Sequence, residues 1–586
     1  MRIFSFVVHS AVLITCVHLR PIFGGWIDPD TPSEAYKTVS NVDGRTHNLV
    51  FSDEFNVDKR KFKDGYDPRW TAVNKNDYTN YALHYYNEDL ATTGNGYLNI
   101  STIYKDVSFK AQSATNPNKF EKKTKNYQSA MINGWNKFCF TGGIIEFNAQ
   151  LPGYYDIGGL WPAMWLLGNL ARSTYVGSSD NMWPWSYNTC NRKLQTSQEI
   201  SACGIEHHWD MEGGVGRGAP EIDILEAMPG KEKLIHTPIS KPYYSASLQV
   251  SPALKYRPLT GFPPDLKQWY FKGLDYGRNA SLNIFFYGMA LLHKQKMLDY
   301  NADAVSANRN LEETHFTNFH KYRLEWQSGS DGYLKWFLDD EFVYSIKASA
   351  LNVSGSLIPD EPMYILLNTA MSSTWGFPAP CPKTCACDCF DCRNAECACA
   401  IPKNMCANLP AHFLIDSVRV YQNKENPNHV VGCSPPGKRS KRFIKGHKHR
   451  YMGEEDTTML LPVLPGGERC KTSEDCGYGV CDSKEKKCVC QTGYTGPNCM
   501  AYEGYDEIDW DPDLKSISVK ELFVPGTLWM IFIAVIAGLG AVVGYKYLYD
   551  KDQRGSYRMN SMGHYTTVNN VSISPPNIST YQSIQN

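Results

Sequence analysis

Apolar and polar residues alternate with a period of two in short stretches through the body of the chain, and no helix-period stretch dominates it. Y-L-K-W-F-L-D from Tyr333 and F-V-Y-S-I from Phe342, joined by D-D-E, predict a β-hairpin. Many short strands, Gly-rich turns and frequent Trp and Tyr point to an all-β chain, and a two-sheet sandwich is the class that lets each sheet bury one face. One stretch breaks the pattern. Residues 221–226 read E-I-D-I-L-E, three carboxylates inside an apolar, β-prone run, preceded by G-G-V-G-R-G-A-P. Burying acids in a strand costs stability, so chemistry is the better reason for their presence.

In a regular strand side chains alternate faces, so Glu221 and Asp223 point one way and Glu226 the other. One β-bulge between Asp223 and Glu226 returns the third acid to the first face. The outer Cα atoms then lie roughly 13 Å apart at about 3.3 Å per paired residue, whereas a retaining glycosidase holds its carboxyls about 5–5.5 Å apart. Both Glu side chains must therefore lean inward on a curved sheet. In that arrangement Glu221 would attack an anomeric carbon, Glu226 would protonate the leaving oxygen and later activate the acceptor, and Asp223 would hold charge and geometry between them. Mutual repulsion makes the three titrate as a coupled set. The plainer alternative is three solvated acids on an edge strand. Trp161 and Trp165, four residues apart in W-P-A-M-W, share a face if extended and suit sugar stacking, against the alternative of structural burial. Trp183, Trp185 and Trp209 fall in a long insertion between Leu170 and Pro220 that could rim a cleft. His207 and His208 in that insertion read as loop residues, without a third metal ligand at familiar spacing.

Composition and the continuous apolar stretches set the compartment. The chain has 586 residues and a formal net charge of −1, which is too long for one ordinary core and argues against a nucleic-acid surface. Residues 3–17 are apolar, follow Arg2 and precede small residues, so 1–24 reads as a signal peptide, with a signal anchor as the alternative. Residues 522–545 are long enough to cross a bilayer, and the basic residues after them predict a single-pass type I protein with a cytosolic tail, 546–586, and an acidic juxtamembrane segment, 500–521. Of 19 Cys, Cys16 falls in the signal and the even remainder suits an oxidising lumen. The cluster between Cys381 and Cys406 reads as disulfides there, where a cytosolic setting would suggest zinc. Residues 434–469 read as a basic linker; within them R-S-K-R at 439–442 resembles a furin-type site, against the commoner solvated charge run. Asn99, Asn279 and Asn352 are lumenal sequons, while those at Asn570 and Asn577 would face the cytosol.

Several motifs occur in order: F-S-D-E-F at 51–55, F-T-G-G-I-I-E-F at 140–147, G-L-W-P-A-M-W-L-L-G at 159–168, Y-R-L-E-W at 322–326, P-M-Y-I-L-L-N at 362–368 and I-D-S-V-R-V-Y-Q at 415–422. Together with the acids they resemble glycoside hydrolase family 16, a β-jelly-roll family acting on β-glucans, over about 48–425. Within it the likeness is greatest to the fungal β-glucan-synthesis-associated membrane proteins, which share G-A-P-E-I-D, a late Cys-rich insertion and a V-G-C-like ending. The resemblance implies Glu221 as nucleophile, Asp223 as assisting acid and Glu226 as acid/base, with β-glucan along a concave sheet. It calls for no cofactor and leaves room for a structural calcium on the outer sheet. Asn148 departs from the Arg of many relatives, and the type I topology departs from their type II anchoring. Residues 470–499 end in C-V-C-Q-T-G-Y-T-G-P-N-C and look like an EGF-like module, whose family pairing would be Cys470 with Cys481, Cys476 with Cys488 and Cys490 with Cys499. The expected organisation is thus a jelly-roll domain, 26–433, with its Cys-rich insertion at 381–406, then linker, module and membrane helix. The expected activity is that of a membrane-anchored retaining glycosidase or transglycosylase in cell-wall β-1,6/β-1,3-glucan synthesis or remodelling, with a glucan synthase or another protein as partner for the module. A catalytically idle glucan-binding scaffold and an EGF-bearing surface receptor are the alternatives.

Overall fold

The computed structural model describes residues 26–502 apart from 113–119, 191–197, 201–202, 204–208, 235–236, 255–269, 271, 285–288, 294–295, 379–382, 386–387 and 453–459. The leader, the apolar stretch 522–545, the tail, His207, His208, Cys381 and Cys387 lie outside them. Among the described residues no helix is long and apolar enough to cross a membrane.

Two sheets face each other. In the sheet that carries the acids, the central strands run in the order Lys296–Asn310, Tyr243–Val250, Glu221–Met228, Trp161–Gly168 and Met363–Ala370, each antiparallel to its neighbour. The opposing sheet is built around Tyr333–Leu338, His320–Gln327, Gly143–Gln150 and Ala411–Gln422. Alternation decides what lies between them. Phe147, Leu324, Trp326, Trp336, Val418 and Val420 meet Met164, Leu166, Ile222, Leu225, Leu248 and Ile365 in one buried core. Full burial of each such side chain stabilises by about 1.5–3 kcal/mol. The predicted hairpin forms, pairing Tyr333–Leu338 with Glu341–Lys347. Its turn places Asp339 and Asp340 at φ 48° and 66°, the left-handed pair that matches strand twist and that Asp tolerates. Asn148 sits in the opposing sheet, bonded to Asp416 at 2.9 Å, so its departure from Arg lies away from the acid-bearing strand.

Two smaller cores flank the sandwich. In one, Leu170, Ala171, Met182 and Met211 of the long insertion pack with Trp135 and Tyr364 and with Phe443, Ile444 and Tyr451. The stretch 434–451 therefore differs from the expected open linker. It carries the short helices Lys441–Gly446 and Lys448–Tyr451, stacks Tyr451 on Trp135 at 5.5 Å, and is tethered by a disulfide from Cys433 to Cys139. Buried aromatics outweigh the surrounding basic charge, because Arg442 and Lys445 stay exposed and Lys438 pairs with Asp360 and Glu361 while Phe443, Ile444 and Tyr451 go inside. In the other core, Cys397, Ile401 and Met405 of the Cys-rich insertion pack on Leu160, Met371 and Phe377. Disulfides Cys385–Cys399, Cys389–Cys397 and Cys392–Cys406 close that insertion.

Residues 470–499 are held by disulfides Cys470–Cys481, Cys476–Cys488 and Cys490–Cys499. This unit is seated on the sandwich: Met500 and Tyr502 pack on Val57, and the Tyr502 hydroxyl donates to Asp30 at 2.7 Å. Asn279 and Asn352 are exposed, whereas Asn99 lies half-buried in the strand Tyr97–Gln112 beside His412.

Candidate active site

A β-bulge places the acids. Asp223 lies opposite Ser247 and Glu226 opposite Ser245, so three steps on the acid strand match two on its neighbour. The extra residue lets Ile222, Ile224 and Leu225 enter the core while Glu221, Asp223 and Glu226 share the other face. A bulge leaves backbone groups without ladder partners. Here Trp336, reaching across the core from the opposing sheet, donates its indole N–H to the Asp223 carbonyl at 2.9 Å.

Each carboxylate has its own donor. Trp183 Nε1 donates to Glu221 Oε2 at 2.7 Å, Gln249 Nε2 to Asp223 Oδ2 at 3.1 Å, and Trp161 Nε1 to Glu226 Oε1 at 3.1 Å. Trp161 stacks on Trp375 with centroids 4.5 Å apart and planes 12° apart, and the Trp375 indole is tied to the Ala227 carbonyl at 3.2 Å. Trp165 donates to Asn368 Oδ1 at 2.7 Å, whose amide in turn donates to the Tyr86 hydroxyl at 3.2 Å. Trp161, Trp165, Trp183 and Trp375 are all half-exposed, as are Glu221 and Glu226, while Asp223 is only 1% exposed. Four indole rings with fixed N–H groups thus stand around two reachable carboxyls and a buried third.

Electrostatics follow from that enclosure. Burial, then the charges of Asp223 and Glu226, push Glu221 well above the usual carboxylate range, against the Trp183 bond that favours its ionised form. Burial and the Asp223 charge likewise push Glu226 well up, with Trp161 opposing. Burial raises Asp223 to about 7, against its bonds to Gln249 and Glu221. The interaction between the two raises Glu221 and lowers Asp223, so they titrate together. Ionising one member of the set raises the others, so the three lose their protons one after another and not together.

The structure brings Glu221, Asp223, Glu226, Trp161 and Trp165 together on two adjacent strands of one sheet. Trp183 and Trp375 complete the site, together with Asn368 and Tyr86. Trp183 is visible in the sequence only as an insertion residue; Asn368 stands there as the last residue of P-M-Y-I-L-L-N without a role, and Trp375 carries no signal, because their partners lie far away in the chain. Trp185 is buried in the interior, and Trp209 packs against His447 on the strap formed by 434–451. Among the described residues, three or more metal-ligating side chains converge only at Cys470, Cys476 and Cys488, all held in disulfides.

The molecule is thus a two-sheet β-sandwich with an acid trio among tryptophans on one sheet. Residues 8–380 match the family model described as beta-glucan synthesis-associated protein SKN1/KRE6/Sbg1, and the chain belongs to that family. It is 33% identical over 457 residues to the beta-glucan synthesis-associated protein KRE6 of Saccharomyces cerevisiae, covering 74% of this chain and 54% of the relative. It is 31% identical over 448 residues to the SKN1 protein of Candida albicans, covering 72% and 51%. The chain thus spans about half the length of the curated relatives it matches. Among solved structures, the catalytic domain of an endo-1,3-beta-glucanase (laminarinase) from Thermotoga petrophila is 18% identical, with 64% of this chain and 98% of that chain covered and a TM-score of 0.35. LamAcat from Zobellia galactanivorans is 22% identical, with 64% and 97% covered and a TM-score of 0.34.

Proposed function

We propose that this protein is a retaining glycosidase or transglycosylase that remodels β-1,3- and β-1,6-linked glucan of a cell wall. The observation that carries the reading is the bulge that sets Glu221, Asp223 and Glu226 on one face with an indole donor on each outer acid. Membership in a family of β-glucan-synthesis-associated proteins supplies the substrate class.

In the first step a Glu221 carboxylate oxygen bonds to the anomeric carbon. The glycosidic bond breaks as Glu226 gives its proton to the departing oxygen, leaving a glycosyl ester on Glu221 and a carboxylate at Glu226. In the second step that carboxylate takes a proton from water or a sugar hydroxyl, whose oxygen displaces Glu221 and regenerates both groups. Trp161 and Trp165 offer ring faces to the glucose units, and Asp223 holds charge and geometry between the two Glu residues. The protein acts in the secretory pathway or at the plasma membrane, held by the span at 522–545 with the glucanase domain outside, and the unit at 470–499 offers a surface to a glucan synthase or another protein partner.

Incubation of the full chain with a reducing-end-labelled laminari-oligosaccharide series tests this, wild type beside Glu221→Gln. Longer or branched products that vanish in the variant establish transfer, and shorter products alone establish hydrolysis. Equal blanks from two folded proteins sink the enzymatic reading in favour of a glucan-binding scaffold.

A further inference from the structure

The Gly-rich run before the acids has a structural reason that does not involve a ligand. A Cβ on Gly218 would lie 2.6 Å from the Trp185 carbonyl and 2.7 Å from that of Met182, and one on Gly216 would lie 2.8 Å from Gln198 Oε1 and 3.0 Å from the Tyr187 carbonyl. Real Cβ contacts to backbone as short as those at Gly218 essentially do not occur, so the insertion comes this close there only because the side chain is missing, and Gly216 leaves only slightly more room. The contact is also bonded: the Ala219 N–H donates to the Met182 carbonyl at 2.8 Å, and Met182 and Trp183 N–H groups donate to Ser179 at 3.0 and 2.9 Å. The seat is then clamped from behind. Arg217, inside the glycine run, makes a two-pronged ion pair with Glu361 at 2.8 and 2.6 Å and also donates to the carbonyls of Lys438 and Arg439 in the strap. Buried between these partners, Glu361 is held down to about 2 because Arg217 and Lys438 outweigh the penalty of burial.

We propose that Trp183 is a positioning residue for Glu221, delivered to the acid by the approach of residues 182–185 to Gly216 and Gly218. The indole N–H fixes one carboxylate oxygen and favours the ionised form, which is the form that attacks. The strap 434–451 serves the site at one remove, by holding the insertion against the glycine run. This inference rests on the nucleophile role proposed for Glu221.

The test uses the full chain purified in mild detergent, with laminaripentaose as donor. Trp183→Phe keeps a ring in the seat and removes only the N–H. The acidic limb of its kcat/KM profile moves to higher pH by about one unit, and kcat falls about tenfold at pH 6 while KM stays within about twofold. Gly218→Ala leaves the indole intact but unseats residues 182–185. It gives the same shift, and the double variant loses little more than either single one. Unfolding midpoints of each variant are read alongside. An unmoved limb in Trp183→Phe overturns the proposal, as does a loss confined to KM, which would make Trp183 a sugar platform only. If wild type and Glu221→Gln are equally blank, the nucleophile reading itself fails, and this inference with it, before any Trp183 variant is compared.

Discussion

Replacing Asp223 by Asn exchanges a buried ionisable group for a neutral one of the same shape. The amide oxygen can still accept from Gln249, so the local bond survives. Asp223 titrates near pH 3.8 when free and is pushed to about 7 in the fold, chiefly by burial at 1% exposure. The folded value is the higher, so the contribution of the protonated acid to stability is complete below about pH 4, where both states hold the proton. Between there and pH 7 only the unfolded chain releases it, and stability falls by about 1.4 kcal/mol per pH unit. Above pH 7 the loss levels off at about 4 kcal/mol, a ceiling because Glu221 and Glu226 exchange protons with the same site. The amide of the Asp223→Asn variant carries no such loss. The variant should therefore match the wild type at pH 4 and unfold several degrees higher at pH 8, read by tryptophan fluorescence on heating. Parallel midpoints for the two proteins from pH 4 to 8 would refute the buried-acid reasoning.

Three further outcomes follow from packing and bonding. Trp336→Phe retains the core ring but leaves the Asp223 carbonyl at the bulge without its donor, costing about 1–3 kcal/mol in denaturant unfolding; an unchanged midpoint would mean that the carbonyl finds another partner. Phe443→Ala in the strap costs about 3–5 kcal/mol, since that ring is fully buried, and ending the chain at Cys433 lowers the melting temperature further. A furin-type protease leaves the native protein intact at 439–442, because Ser440 is buried, the carbonyl of its neighbour Arg439 is bonded to Arg217, and the bond after Arg442 lies inside the helix Lys441–Gly446; cleavage of the native protein at the same rate as of the denatured chain, seen by mass spectrometry, would show that the strap undocks freely.

The acid strand is legible in the sequence because its chemistry is local. Glu221, Asp223 and Glu226 lie within six residues, and the demand that all three face one way is enough to call for a bulge. The hairpin turning at Asp339 and Asp340 is legible for the same reason. What holds the bulge is not: Trp336 reads as an ordinary apolar strand residue, and only the facing of two sheets across the core gives its N–H a purpose. The strap differs from the expected linker for a physical reason as well. Lys438, Arg439, Lys441, Arg442 and Lys445 dominate its composition, while the side chains that seat it are few: the adjacent Phe443 and Ile444, and Tyr451 seven residues on. Trp183 lies in a long insertion with two other tryptophans, and nothing in its neighbours marks it as the one that meets Glu221.

The disulfide between Cys139 and Cys433 joins residues 294 positions apart. Both sheets' central strands, the acids and both large insertions fall between those two cysteines, so the working part of the molecule is a covalent ring. A protease that nicks any loop within the ring opens it into a chain whose two ends stay linked, and nothing is released until the bond is reduced. Separation of the sandwich from everything that follows requires a cut beyond Cys433. Fragment sizes on a non-reducing gel will therefore understate damage inside the ring, and a sandwich fragment freed without reductant reports on a cut at the strap or later.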